Sequence, residues 1–189
     1  MSLVMVNLNH FIKIYENALD PNVCETLISI FDNDQIEKER FDDNGCPNFT
    51  RFNLTRNKNL SSKINKLHDY IVGKTFKYKK LYYDFIDPRV FPEKNSYEQF
   101  HIKKYEIGGN DRFETHVDVT DSTSCFRFLS FLWYLNDVEI GGETVFTELK
   151  IKPKKGNLLI FPPLWMFPHK GNPPVSGPKY IMSTYLHYN

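Results

Sequence analysis

Residues 125–146, CFRFLSFLWYLNDVEIGGETVF, decide the fold. Cys125 to Leu135 is built of aromatic and branched apolar residues, the composition of a buried strand. Asn136-Asp137 and Gly141-Gly142 then break the run, and Thr144 to Phe146 opens a second short strand. Working outward, the same texture recurs at Tyr97 to Tyr105, Asn157 to Phe161 and Lys179 to Leu186. Turn signals at Gly108 to Asp111, Lys155-Gly156 and Gly171 to Pro178 separate these runs. Many short strands at such spacing predict a mainly β protein, an antiparallel sandwich or jelly roll.

The N-terminal half reads differently. Asp20 caps a helix with Pro21 at its first position, and Val23, Leu27, Ile30 and Phe31 repeat at helical spacing. Ser61 or Ser62 caps a second helix running to about Lys74, with Ile64, Leu67, Tyr70 and Ile71 as its buried stripe. Residues 33–59 lack periodicity and are expected to form a long loop with short strand pieces, suited to a lid over a binding site. The expectation is one domain over residues 1–189: a helical support and lid region at 1–96, and a jelly-roll core at 97–189 flanked by the helices.

Composition excludes several classes. With 24 Lys+Arg against 23 Asp+Glu, there is no basic excess of the kind a nucleic-acid or membrane-surface binder shows. No apolar run is long enough to span a membrane, and Met1 to His10 is too short and polar for a secretory leader. Cys24, Cys46 and Cys125 form no C-x-x-C pair, so neither a zinc knuckle nor a disulfide framework is expected, and a reducing, cytoplasmic location follows. Cys125 itself is expected to be a small buried hydrophobe.

Chemistry enters at Thr115-His116-Val117-Asp118. Residues two apart in a strand share a face, so an imidazole and a carboxylate converge there. His169, between a strand and a Gly/Pro-rich turn, is the candidate third ligand. Two His and one carboxylate are the facial triad of non-haem Fe(II) oxygenases, which leaves positions open for substrates. Zinc prefers a closed tetrahedral set, and no Cys stands nearby to complete one. Oxygenases of this kind draw electrons from a co-substrate, commonly 2-oxoglutarate, whose far carboxylate needs a buried cation. Lys179, ten residues past His169 at the head of the apolar strand Tyr180-Ile181-Met182, meets that need.

The ordered motifs Tyr105-x-x-Gly108, His116-Val117-Asp118, Arg127, Tyr134-Leu135-Asn136, Gly141-Gly142-Glu143-Thr144-x-Phe146, Pro153-x-x-Gly156, His169-Lys170-Gly171-x-Pro173 and Gly177-x-Lys179 resemble the prolyl 4-hydroxylase type of Fe(II)/2-oxoglutarate dioxygenase. The resemblance covers about residues 97–188. It implies a double-stranded β-helix, iron(II) held by His116, Asp118 and His169, and the distal 2-oxoglutarate carboxylate held by Lys179. It further implies a phenol hydrogen bond from Tyr134 to that carboxylate, Tyr105 lining the other end of the co-substrate, and Thr184 as a further donor. O2 is the oxidant, ascorbate (vitamin C) the accompanying reductant, succinate and CO2 the co-products, and peptidyl proline the favoured substrate. The rival readings are the same chemistry on a free amino acid or small metabolite, and a metal-holding peptide-binding module without catalysis. A nucleic-acid repair dioxygenase is disfavoured because the two Arg residues usual after the distal His are missing.

Arg127 lies seven residues from Tyr134, which in an unbroken strand sets the two on opposite faces, so Arg127 is expected to be structural. His101 and His187 are given no role in the site. The rim of the site is expected to draw on Phe49, Arg51, Phe52, Arg56, Arg112 and Phe113.

Overall fold

The computed structural model describes residues 7–33, 35–42 and 47–189. In chain order these comprise β1 (Lys13–Tyr15), α1 (Pro21–Asp32), β2 (Glu39–Asp42), β3 (Asn48–Asn53), α2 (Ser62–Ile86), β4 (Asn95–Tyr97) and β5 (His101–Tyr105). There follow β6 (Phe113–His116), β7 (Arg127–Tyr134), β8 (Thr144–Phe146), β9 (Lys150–Ile151), β10 (Leu158–Phe161), β11 (His169–Gly171) and β12 (Lys179–Tyr188). The strands form two antiparallel sheets. The larger runs β1-β10-β7-β12-β5-β3-β2, with β4 also on β12; the smaller runs β6-β11-β8-β9. This is the mainly β jelly roll flanked by helices that the strand pattern predicts.

Two apolar layers hold it together. Between the sheets lie Phe49, Tyr105, Tyr134, Phe146, Leu159, Phe161 and Ile181. On the outer face of the large sheet, Phe131, Trp133, Leu158, Ile160 and Met182 pack against Cys24, Leu27 and Phe31 of α1 and Ile64, Ile71, Tyr78 and Tyr82 of α2. Adjacent residues of β7 and β10 thus serve opposite layers, as the two-residue period of a strand requires. Burying each large side chain is worth about 1.5–3 kcal/mol, so the helices are part of the sheet's stability.

Helix α1 starts where expected: Asp20 Oδ1 accepts from the Asn22 amide at 2.8 Å, and Pro21 occupies the first turn. Helix α2 starts with Ser61 Oγ accepting from the Ile64 amide, but it continues twelve residues beyond Lys74, to Ile86. The buried stripe carries on through Thr75, Tyr78 and Tyr82 at three- and four-residue spacing. Those residues are polar or aromatic and mimic strand composition, which is why the helix reads short. Tyr70, expected in the stripe, is exposed. Lys79 is buried although it stands in the basic stretch Lys77 to Lys80, with its ammonium donating to Asn95 Oδ1 at 2.8 Å among the rings of Phe76, Tyr83 and Tyr97.

The described residues of 33–59 include more regular structure than a lid loop: β2 pairs with β3, and β3 joins β5 to extend the large sheet. Cys125 is exposed, contrary to the expected buried role, because it sits in the turn before β7. Cys46 lies outside the described residues, as do the first six of the N-terminal stretch. Among the described residues, no helix is long and apolar enough to cross a membrane.

Candidate metal and co-substrate site

Antiparallel register builds the candidate metal cluster. In the β6–β11 pair His169 lies directly opposite His116, and their rings stand 4.3 Å apart. Phe113 stacks on His116 at 3.7 Å, while Phe161 and Phe146 pack against His169, so both rings are clamped. Asp118, just past β6, brings its carboxylate to 3.4 Å from Nε2 of His116 and 3.8 Å from Nε2 of His169. One donor atom from each residue fits within 4.8 Å of the others.

The surroundings prepare these groups for a cation. Nδ1 of His116 faces the Glu114 carbonyl at 2.8 Å, and Nδ1 of His169 faces that of Phe167 at 3.1 Å. A carbonyl can only accept, so each Nδ1 carries the proton and each Nε2 presents a lone pair to the shared centre. Burial alone would raise the Asp118 carboxyl; the His116 and His169 rings and the Tyr185 hydroxyl more than offset this and hold it below its ordinary value. Burial also lowers His169, favouring the neutral imidazole that a metal requires. Asp118 Oδ2 is buried with no hydrogen-bond partner among the described residues. An orphaned carboxylate oxygen beside two imidazole lone pairs fits a divalent metal of octahedral preference.

The triad opens into a cavity of about 400 Å³ between the two sheets. Lys179, at the head of β12, is only 3% exposed, and its ammonium lies 5.4 Å from the ring centre of Tyr105 and 5.9 Å from that of Tyr134. Burial pushes it down to about 7, with Glu143 pulling it back up and Lys103 pushing further down. Among the described residues it forms no ion pair. Tyr105, directly across the sheet from Lys179, lines the same cavity.

Tyr134 and Thr184 are placed differently from a simple pair of donors. The Tyr134 phenol donates to Thr144 Oγ1 at 2.7 Å, and Thr144 lines the cavity. Thr144 was legible only as part of the Gly-Gly-Glu-Thr motif. Thr184 also borders the cavity, but its hydroxyl donates to the Glu98 carbonyl at 2.8 Å, so that donor is already used within the protein.

Arg127 corrects the strand-parity expectation. Its guanidinium lines the cavity, donating to Glu98 at 2.6 Å and to the Asp118 carbonyl at 2.8 Å, and it lies over the Tyr185 ring. The β7–β12 register steps from Leu129↔Leu186 to Arg127↔His187, so Phe128 is the extra residue of a bulge, and Arg127 returns to the face of Ser130 and Leu132. His187, given no role from sequence, is hydrogen-bonded to the same Glu98 carboxylate. His101 lines the cavity too; burial, then the charges of Arg51 and Lys103, pushes it down to about 4. Of the expected rim, Phe49, Arg51 and Phe113 line the cavity, whereas Phe52 is core and Arg56 lines a neighbouring groove. Arg112 instead pairs with Glu114.

Known proteins resemble this chain in sequence and in architecture. Residues 100–187 match the family model of the 2OG-Fe(II) oxygenase superfamily. Two Arabidopsis thaliana proteins, "Probable prolyl 4-hydroxylase 9" and "Probable prolyl 4-hydroxylase 11", are each 38% identical, over 86 and 79 residues covering 34% and 37% of this chain. The chain spans less than a third of the length of these relatives, 29% and 26%. Among solved structures, the viral collagen prolyl hydroxylase of Paramecium Bursaria Chlorella virus-1 aligns over 95% of this chain and 97% of its own, with a TM-score of 0.68 at 21% identity. A Pseudomonas putida prolyl-4-hydroxylase aligns over 95% of this chain and 94% of its own, with a TM-score of 0.70 at 13% identity. At those identities the likeness concerns the fold, and the motif-bearing stretch carries the kinship. Residues 100–187, a little under half of the chain, are thus similar to the 2OG-Fe(II) oxygenase superfamily.

Proposed function

We propose that this chain is an Fe(II)/2-oxoglutarate-dependent dioxygenase that hydroxylates an unactivated C–H bond of peptidyl proline, with succinate and CO2 as co-products. One observation carries the reading: the cavity that holds the His116, Asp118 and His169 donor set also holds the unpaired ammonium of Lys179. A metal-holding module has no use for that second feature, whereas a chelating keto acid with a far carboxylate uses both.

In this reading His116 and His169 hold iron(II) through Nε2 and Asp118 through its carboxylate. The chemistry the bound metal supplies is O2 activation coupled to oxidative decarboxylation of 2-oxoglutarate. Lys179 takes the distal carboxylate of the co-substrate, with Tyr105 against its chain and the Thr144 hydroxyl, set by Tyr134, as a further donor. Thr184 acts from behind, fixing the Glu98 backbone. The protein performs little acid–base work; its part is to orient the co-substrate and to keep water from the reacting centre. The aromatic wall of Phe49, Phe113 and Phe161 supplies that exclusion.

Residues 97–189 form the catalytic core and residues 1–96 its support. The free thiols of Cys24 and Cys125 suit a reducing, cytoplasmic compartment, and ascorbate serves as the reductant that maintains turnover. The substrate is a peptide containing proline rather than a nucleic acid. The test is succinate formation from 2-oxoglutarate with Fe(II) and ascorbate, with and without proline-rich peptides. Peptide-stimulated succinate formation that is lost in His116→Ala is the expected result; no turnover in any condition, with the two proteins indistinguishable, overturns the reading.

A further inference from the structure

Lys103 is a cation of the cavity for which the reaction as described has no use. On β5 the side chains of His101, Lys103 and Tyr105 share one face, and all three line the cavity. Cross-strand register sets Tyr105 beside Lys179, Lys103 beside Ile181 and His101 beside Ser183, so Lys103 stands one step along the sheet from the Lys179 clamp. On its other side it pairs in register with Arg51 of β3, and its ammonium lies 5.2 Å from the Phe49 ring centre.

The other cations that face the cavity from the large sheet are accounted for. Arg51 is bound to Glu39, and Arg127 to Glu98. Lys179 waits for the distal carboxylate of the co-substrate. Lys103 has neither a hydrogen bond nor an ion pair among the described residues. Asp118 does not supply one, since His116, His169 and Tyr185 already surround its carboxylate and a metal takes its remaining oxygen. The second carboxylate of the co-substrate is spoken for by its chelating role. Burial pushes Lys103 down to about 8, which leaves it largely charged at neutral pH. An ammonium held in a recess without a counter-ion is costly unless an anion arrives to meet it.

We infer that Lys103 is a specificity-determining residue that binds a carboxylate of the substrate, an Asp or Glu side chain flanking the residue to be hydroxylated. This rests on the peptide-hydroxylation reading above.

The experiment is calorimetric titration of the full chain loaded with Mn(II), a redox-inert stand-in, and 2-oxoglutarate. The probes are the blocked peptide acetyl-Gly-Glu-Pro-Glu-Gly-amide and its counterpart with Gln for both Glu residues. Wild type is expected to bind the Glu peptide roughly tenfold more tightly than the Gln peptide, the scale of one charge-assisted contact. Lys103→Met is expected to abolish that preference and Lys103→Arg to keep most of it, with 2-oxoglutarate affinity unchanged in both, which also shows that both fold. Equal binding of the two peptides by wild type, or a preference that survives in Lys103→Met, overturns the inference and leaves peptide recognition standing. A Lys103→Met protein that loses 2-oxoglutarate affinity but keeps the Glu preference assigns the residue to the co-substrate and equally overturns it. Binding of neither peptide by wild type that binds 2-oxoglutarate overturns the peptide reading itself, and this inference with it.

Discussion

The phenol of Tyr185 donates to Oδ1 of Asp118 at 2.8 Å, and Oδ2 of the same carboxylate is buried without a partner among the described residues. One oxygen is therefore anchored from behind, and the other is the one that the proposed metal would take. Arg127 steadies the same residue from the backbone side and lies over the Tyr185 ring. The orientation of the one carboxylate in the proposed ligand set thus depends on β12 and β7, elements that contribute none of its three residues.

Removing that anchor tests its role. Tyr185→Phe keeps the packing and deletes one donor. Loss of an outer partner of a metal ligand typically costs about 10–100-fold in metal affinity, and a drop of that size is expected for Mn(II) in this variant. Calorimetric titration checks it. Affinity equal to wild type would mean that the cavity walls alone orient Asp118.

Lys179→Ala separates the co-substrate from the metal. The ammonium makes no hydrogen bond or ion pair with His116, Asp118 or His169 among the described residues, so Mn(II) affinity is expected to stay within about twofold while 2-oxoglutarate affinity falls by at least tenfold, as when a buried charge-assisted contact is lost. Parallel loss of both would show that Lys179 supports the fold instead.

The same residue gives the free protein a pH dependence with a definite sign. Lys179 titrates near 7 when folded, against 10.5 as its ordinary value, so between those pH values the unfolded chain holds a proton that the folded chain lacks. Its contribution to stability therefore rises with pH through this window. Binding a carboxylate reverses the preference and recharges the amine. At pH 8 the binding of 2-oxoglutarate is expected to take up a fraction of a proton, seen as a heat that varies with the ionisation enthalpy of the buffer. A buffer-independent heat at pH 8 would show that the amine is already charged in the free protein.

What sequence alone could and could not show follows from which interactions are local. His116, Asp118, His169 and Lys179 stand out because their spacing is tied to short strands and turns, and the turns are written in Gly, Pro and Asn. Arg127 was misplaced because parity holds only for an unbroken strand, and the bulge at Phe128 contains no glycine to announce it. Lys103 and Tyr185 carried no signal at all. Each is one residue of an alternating strand, and only the cross-strand partners, Ile181 for Lys103 and Ser130 for Tyr185, establish which face looks into the cavity. The length of α2 was hidden for a different reason: beyond Lys74 its buried face is Thr75, Tyr78 and Tyr82, whose helical spacing is clear only once the sheet they cover is known.

Gly156 links the N-terminal segment to the jelly roll, and its substitution tests whether that link matters to stability. The residue sits at φ +81° in the turn before β10, and a Cβ there would meet the Leu19 carbonyl oxygen at 2.5 Å. Its own carbonyl accepts from the Leu19 amide at 2.9 Å, so the backbone of the segment entering α1 is laid directly on this turn. Gly156→Ala forces both an unfavourable left-handed residue and a backbone clash, because Leu19 is buried and cannot retreat. A loss of about 1–3 kcal/mol is expected from the dihedral strain, more if the turn must shift to relieve the contact. The measurement is chemical denaturation of the metal-free protein, with Gly177→Ala as control, since a Cβ at that glycine meets nothing within 4 Å. Equal stability of the two variants would show that the N-terminal segment can lift from the turn without cost, and that α1 is held to the sheet by its apolar face alone.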